Sequence, residues 1–102
     1  MGFKDSGKME YTNTGEAMFH GQEVAVLVSF HPDGRMLPVF IQIEDEEQQR
    51  MRLRIHKIYR ILEDNRAGCP LIRYEIGLLV QGNVIRNELI YGIELHRWWL
   101  RS

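Results

Sequence analysis

The sequence contains one cysteine, Cys69, in 102 residues. A lone thiol forms no internal disulfide and builds no structural zinc site by itself, so neither can stand in for a packed core. No apolar run approaches the ~20 residues that cross a bilayer as a helix, so no membrane is expected as a partner. Met1 to Ser6 carries Lys4 and Asp5 with no apolar stretch behind it and is not read as a secretory signal. A reducing cytoplasm is the expected location. No glycine-rich phosphate loop, nucleophile elbow or dinucleotide fingerprint occurs. No internal repeat is visible, which excludes solenoids and propellers.

Apolar residues make up 44% of the chain and charged residues 26%, a globular balance that predicts a packed core rather than disorder. The length allows one core, so a single domain is expected over 16–102. Residues 1–15 are polar and glycine-spotted with no sustained period, which reads as a flexible N-terminal tail. The net charge of −1 hides an asymmetry. Residues 1–47 hold three basic and nine acidic side chains, and residues 48–102 hold ten basic and five acidic, so the halves carry −6 and +5. Such a split marks either a charged binding surface or strands from the two halves pairing their charges across the sheet.

Period-two patterning dominates. From Glu23 to His31, Val24, Val26, Val28 and Phe30 alternate with Ala25, Leu27, Ser29 and His31, a strand rich in β-branched residues. Pro32-Asp33-Gly34-Arg35 supplies the residues of a tight turn. The return strand, Met36 to Glu44, sets Leu37, Val39, Ile41 and Ile43 against Met36, Pro38, Phe40 and Gln42. Pro38 lacks an N–H and favours an edge or a bulge. Glu44 to Glu47 reads as a solvated acidic turn.

Gln49 to Glu63 admits two readings. As a strand, Met51, Leu53 and Ile55 face inward and Arg50, Arg52, Arg54 and His56 outward, with a bulge near His56-Lys57 resetting the alternation for Ile58 to Leu62. As a short helix within 45–62, Met51, Ile55, Ile58, Tyr59 and Leu62 share a face behind an Asp45–Gln48 capping box. The strand is preferred, because a helix leaves Leu53 and Ile61 off the apolar face and over-uses isoleucine.

After a loop over Asn65 to Pro70, Ile72, Tyr74, Ile76, Leu78 and Val80 alternate with Arg73, Glu75, Gly77 and Leu79. Gly82-Asn83 reads as a two-residue hairpin turn. The chain returns through Ile85, Asn87, Leu89, Tyr91, Ile93 and Leu95, with Gly92 marking a bend or a close backbone approach. Trp98-Trp99-Leu100 closes the domain, and at least one indole is expected over the core. These elements predict an all-β fold of five to seven strands. Closure into a small barrel or a strongly curled antiparallel sheet would remove the uncovered edges of a flat one.

Phe30 with Asp33-Gly34 and Pro38, His56-Lys57-Ile58, and Trp98-Trp99-Leu100 together resemble the layout of short, uncharacterised β-rich proteins of Gram-positive bacteria. The resemblance spans 24–100 and implies a small β-rich bacterial protein. It implies no activity and no site residues.

The strongest functional candidate is the basic stripe Arg50, Arg52, Arg54 and His56, joined by Lys57 and Arg60. On a strand its alternate members project from one face at ~6.6 Å intervals, a spacing that can track a nucleic-acid backbone. The structural alternative is that these arginines keep an edge soluble and pair with Glu44 to Glu47, Glu88 or Glu94. Small barrels that hold single strands add exposed aromatics for base stacking, and Phe40, Tyr59, Tyr74, Trp98 and Trp99 are the candidates. A second function class, protein interaction or homodimerisation, is suggested by Leu27, Phe40 and Leu79, which lie opposite the more apolar face of their strands.

His20, His31, His56 and His96 are too dispersed to show metal-ligand spacing, so no metal and no cofactor is expected. Cys69 has no neighbouring histidine in sequence. An enzyme would need titratable groups converging only in three dimensions, such as His31 or His96 beside a buried carboxylate. A non-catalytic binding module is therefore the leading expectation.

Overall fold

The computed structural model describes residues 21–44, 47–66 and 68–102. The tail expected over 1–15 and the domain start at Glu16 lie outside the described residues, as do His20 and the centre of the acidic turn, Asp45 and Glu46. The described residues form six strands: β1 (Gln22–Phe30), β2 (Met36–Glu44), β3 (Arg50–Arg66), β4 (Cys69–Val80), β5 (Asn83–Gly92) and β6 (Arg97–Arg101). Each pairs antiparallel with the next, and β6 returns to β1 through Glu23–Trp99 and Val24–Trp98, so the sheet closes into a barrel. The described part of 45–62 holds no helix, and Arg50 to Arg66 is one long strand.

The interior is what the alternation of β1 and β4 leads one to expect. Val24, Ile41, Ile55, Tyr74, Ile76, Leu78, Leu89 and Trp98 form the buried core. Trp98 packs its ring 5.7 Å from Tyr74 and 4.6 Å from Tyr91, closing the barrel with tilted aromatic pairs. Tyr74 donates its hydroxyl to the Met36 carbonyl at 2.6 Å. Burial pushes its phenol up to about 12, with the neighbouring Tyr91 and Glu63 adding to the effect. Trp99, on the outward side of β6, is also buried. With Leu71 and Ile90 it forms a second apolar cluster, against which Cys69 packs.

The β1–β2 turn is held locally. Gly34 sits at φ 92° and donates its N–H to the His31 carbonyl at 2.9 Å. The Asp33 carboxylate accepts from the backbone and side-chain nitrogens of Arg35 at 3.0 and 2.8 Å, and those two bonds hold its carboxyl below the usual range.

Four sequence expectations shift. The loop expected over Asn65 to Pro70 is mostly ladder, with Asn65 paired to Pro70 and Arg66 to Cys69. The alternation of β2 breaks at Val39, because Leu27 pairs with Phe40 while Val28 pairs with Pro38. This bulge brings Met36 into the packing around the core and buries Pro38, whereas an unbroken alternation would have put Leu37 and Val39 on that side. The β4–β5 turn is Gln81-Gly82, one residue earlier than Gly82-Asn83, because Val80 pairs with Asn83. Both turn residues have positive φ, 51° and 81°, the primed geometry that suits strand twist. Finally, β5 stops at Gly92, and Ile93 and Leu95 lie in a turn closed by His96 N–H to the Gly92 carbonyl at 2.8 Å. Gly92 does mark a close approach, since a Cβ there would lie 3.3 Å from the Trp99 ring.

Candidate functional site

Cross-strand partners in an antiparallel sheet point to the same face, so the register fixes what the barrel presents outward. Leu27 pairs with Phe40, Phe40 with Arg54, Arg54 with Leu79 and Leu79 with Val84. This single outward row crosses five strands. It contains all three residues singled out for partner binding, Leu27, Phe40 and Leu79, with an arginine of the basic stripe in their midst. Leu27 is 40% and Val84 45% exposed, so the row is open to solvent at both ends.

The stripe itself lies along β3 on the same outer face. Leu53 and Ile55 turn inward, which sends Arg50, Arg52 and Arg54 outward. The bulge foreseen near His56-Lys57 is present: Ile55 pairs with Leu78 and Lys57 with Gly77, leaving His56 as the extra residue. A second bulge, which the sequence did not suggest, follows at once. Ile58 pairs with Ile76 and Arg60 with Glu75, leaving Tyr59 as the extra residue. Each bulge sets two successive residues on the outer side and so resets the alternation, which brings His56 with Lys57 and Tyr59 with Arg60 into the stripe.

Two aromatic rings are set among these cations. The Arg52 and Arg54 guanidinium carbons lie 5.5 and 6.0 Å from the Phe40 ring centre. Arg86 of β5 lies 3.9 Å over the Tyr59 ring, with Lys57 Nζ at 5.5 Å. All four distances suit cation–π attraction. Tyr59 reaches β5 because Gly77 of the intervening strand has no side chain. A Cβ at Gly77 would lie 2.9 Å from the Tyr59 hydroxyl and 2.8 Å from Val84 Cγ1. Arg86 was not among the sequence candidates. The one signal for it was Gly77, a glycine inside an apolar strand.

The charges divide the stripe. Arg50 lies 3.8 Å from Glu44, and Arg60 3.8 Å from Glu75, both across exposed surface. Arg86 reaches Glu75 only at 4.0 Å. Arg52, Arg54 and Lys57 make no ion pair among the described residues. Glu88, considered from sequence as a partner for the stripe, is instead bonded by Arg73 at 2.8 Å and approached by Arg101 at 3.4 Å.

The aromatics sort cleanly. Tyr74, Trp98 and Trp99 are buried, Phe40 is half-buried, and Tyr59 is 39% exposed. His31 and His56 both line a groove between the β1–β2 hairpin and β3, and His96 Nδ1 lies 3.4 Å from the Tyr91 hydroxyl. Among the described residues no three histidine, cysteine or carboxylate side chains are grouped as metal ligands, and there is no helix long and apolar enough to cross a membrane. Comparison of the chain with protein-family models, curated proteins and solved structures finds no match.

Proposed function

We propose that the protein binds single-stranded nucleic acid along the outer face of β3. The observation that carries this reading is the set Arg52, Arg54 and Lys57, free of carboxylate partners among the described residues and interleaved with the Phe40 and Tyr59 rings. Cations aligned along a strand draw in a phosphate backbone, and exposed rings or guanidinium planes offer stacking surfaces for bases. An arginine held over a ring keeps its N–H donors directed to solvent without a carboxylate competing for them. The reading places the protein in the cytoplasm, where a single thiol such as Cys69 stays reduced.

Fluorescence anisotropy with a labelled mixed-sequence single strand, titrated at several salt concentrations, tests it. Wild-type affinity should fall as salt rises. Replacing Arg52 and Arg54 together by alanine should weaken binding by at least roughly tenfold and flatten the log–log salt slope by about 1.4, from ~0.7 per lost phosphate contact. Binding indifferent to both salt and these arginines overturns the proposal.

A second reading rests on the apolar members of the same row. Leu27, Phe40, Leu79 and Val84 could seat a second copy of the chain or another protein. Size-exclusion chromatography with light scattering separates the two. A salt-insensitive dimer lost on Phe40→Glu supports this alternative, and a monomer at high concentration removes it.

A further inference from the structure

The ladder between β2 and β3 is short. It runs from Glu44–Arg50 to Phe40–Arg54 and stops, although both strands continue. Just past that point each strand bulges against its other neighbour, β2 at Val39 against β1 and β3 at His56 against β4, and Pro38 has no N–H to extend the pairing. The β1–β2 hairpin therefore parts from β3 and leaves a groove of about 340 Å³. Pro38, Ile55 and Ile58, which are buried or half-buried, make its apolar floor. Ser29, His31, Leu37 and Val39 line one side, and His56 and Lys57 the other. Among the described residues no acidic side chain lines it.

The groove is continuous with the basic stripe, since His56 and Lys57 of that stripe line it. Its size falls at the lower end of small-ligand pockets, too small for a folded partner and suited to a flat ring. Addition of a peptide strand to the β3 edge is opposed by the bulges at His56 and Tyr59, which break the regular row of donors and acceptors that a strand needs. An apolar floor with a hydroxyl, two imidazoles and an ammonium at the rim matches instead a nucleobase, which has two apolar faces and a polar edge.

We infer that this groove receives an unstacked base of a strand whose phosphates run along Arg52, Arg54 and Lys57. The inference rests on the nucleic-acid reading above and adds to it a preference for unpaired, base-bearing strands. A duplex keeps its bases stacked and cannot fill the groove, and an abasic strand offers phosphates alone.

Anisotropy with three probes of equal length separates the possibilities: a single strand with bases, an abasic single strand and a duplex. The base-bearing single strand should bind roughly tenfold more tightly than the abasic one, with the duplex also weaker than the base-bearing strand. Ser29→Trp, at an exposed position on the rim, should remove that advantage by filling the groove while leaving abasic binding unchanged. His31→Trp, in the adjoining turn, provides a second filling variant should the first disturb folding. Should all three probes bind alike and still depend on Arg52 and Arg54, the groove inference fails and the stripe stands. Absence of binding by every probe overturns both.

Discussion

Arg73 on β4 donates through Nε to Glu88 at 2.8 Å and approaches Asp64 at 3.5 Å, and Arg101 reaches the same Glu88 at 3.4 Å. Arg54 on β3, also turned outward, has the Phe40 ring at 6.0 Å and no carboxylate partner among the described residues. The first arginine is half-buried in a network that spans β3, β4, β5 and β6. Glu88 beside it pushes its guanidinium further up, the hydrogen bond being the main cause. The second lies on open surface with its donors facing water. The first region sets two arginines against two carboxylates, while the second sets its arginines against an aromatic ring on open surface. An arginine whose donors are used up by the fold stabilises the fold, while one whose donors are not can be used by a ligand.

That contrast can be broken from either side. Arg73→Ala should cost about 2 kcal/mol of unfolding free energy, because it strips a part-buried Glu88 of its closest cation, and should leave oligonucleotide affinity unchanged. The Arg52→Ala, Arg54→Ala pair should do the reverse, changing stability by less than about 1 kcal/mol while weakening binding. Urea unfolding and anisotropy on the same preparations read both quantities. Equal effects of the two substitutions on binding would erase the distinction.

The part of this surface that could be read from sequence is the part written in alternation. Arg50, Arg52 and Arg54 between Met51, Leu53 and Ile55 favour a strand with a basic outer face over a helix, and the need to cover edges points to a small barrel or a strongly curled sheet of five to seven strands, which the fold realises as a closed barrel of six. Bulges are harder to see. The one at His56 interrupts the apolar period and leaves a trace in the sequence. The one at Val39 is foreshadowed by Pro38 beside it, which favours an edge or a bulge, whereas that at Tyr59 depends on what lies opposite, and the register of β4 is not written in the strand that bulges. The overrun of β5 has a similar cause. Ile93 and Leu95 keep the period of two, but the turn is made by backbone, with His96 at φ 57° and its N–H on the Gly92 carbonyl. The Arg86–Tyr59 contact joins β3 to β5 across β4, a relation that no local pattern encodes.

Two tyrosines sharpen the comparison between inside and outside. Tyr74 is buried, bonded to the Met36 carbonyl, and pushed up to about 12 from 10.0. Tyr59 lies on the surface among cations. The unfolded chain ionises at Tyr74 near pH 10, whereas the folded chain holds that proton until about pH 12. Its contribution to stability is therefore complete below pH 10 and is lost as pH rises from there toward 12, on the order of 1 kcal/mol by about pH 11. Tyr74→Phe should cost about 1 kcal/mol at neutral pH through the lost hydrogen bond and should shrink this alkaline decline. An alkaline unfolding curve as steep in the variant as in the wild type would assign the decline to other groups.

The smallest substitution tests how the outer surface is ordered. Gly77→Ala adds one methyl group, which would lie 2.9 Å from the Tyr59 hydroxyl and 2.8 Å from Val84 Cγ1, so at least one of these side chains must move. Both side chains are exposed, the Tyr59 hydroxyl can swing aside and the stiffer Val84 has to give at Cγ1, so the expected cost in stability is small, about 0.5 kcal/mol. Displacing the ring also displaces the Arg86 guanidinium stacked 3.9 Å above it, and with it the far end of the proposed binding face. A two- to threefold loss of single-strand affinity at nearly unchanged stability, about 0.5 kcal/mol, is the predicted signature. If Gly77→Ala leaves affinity untouched while Arg54→Ala reduces it, the binding face ends at β3 and Tyr59 serves only to cover the glycine.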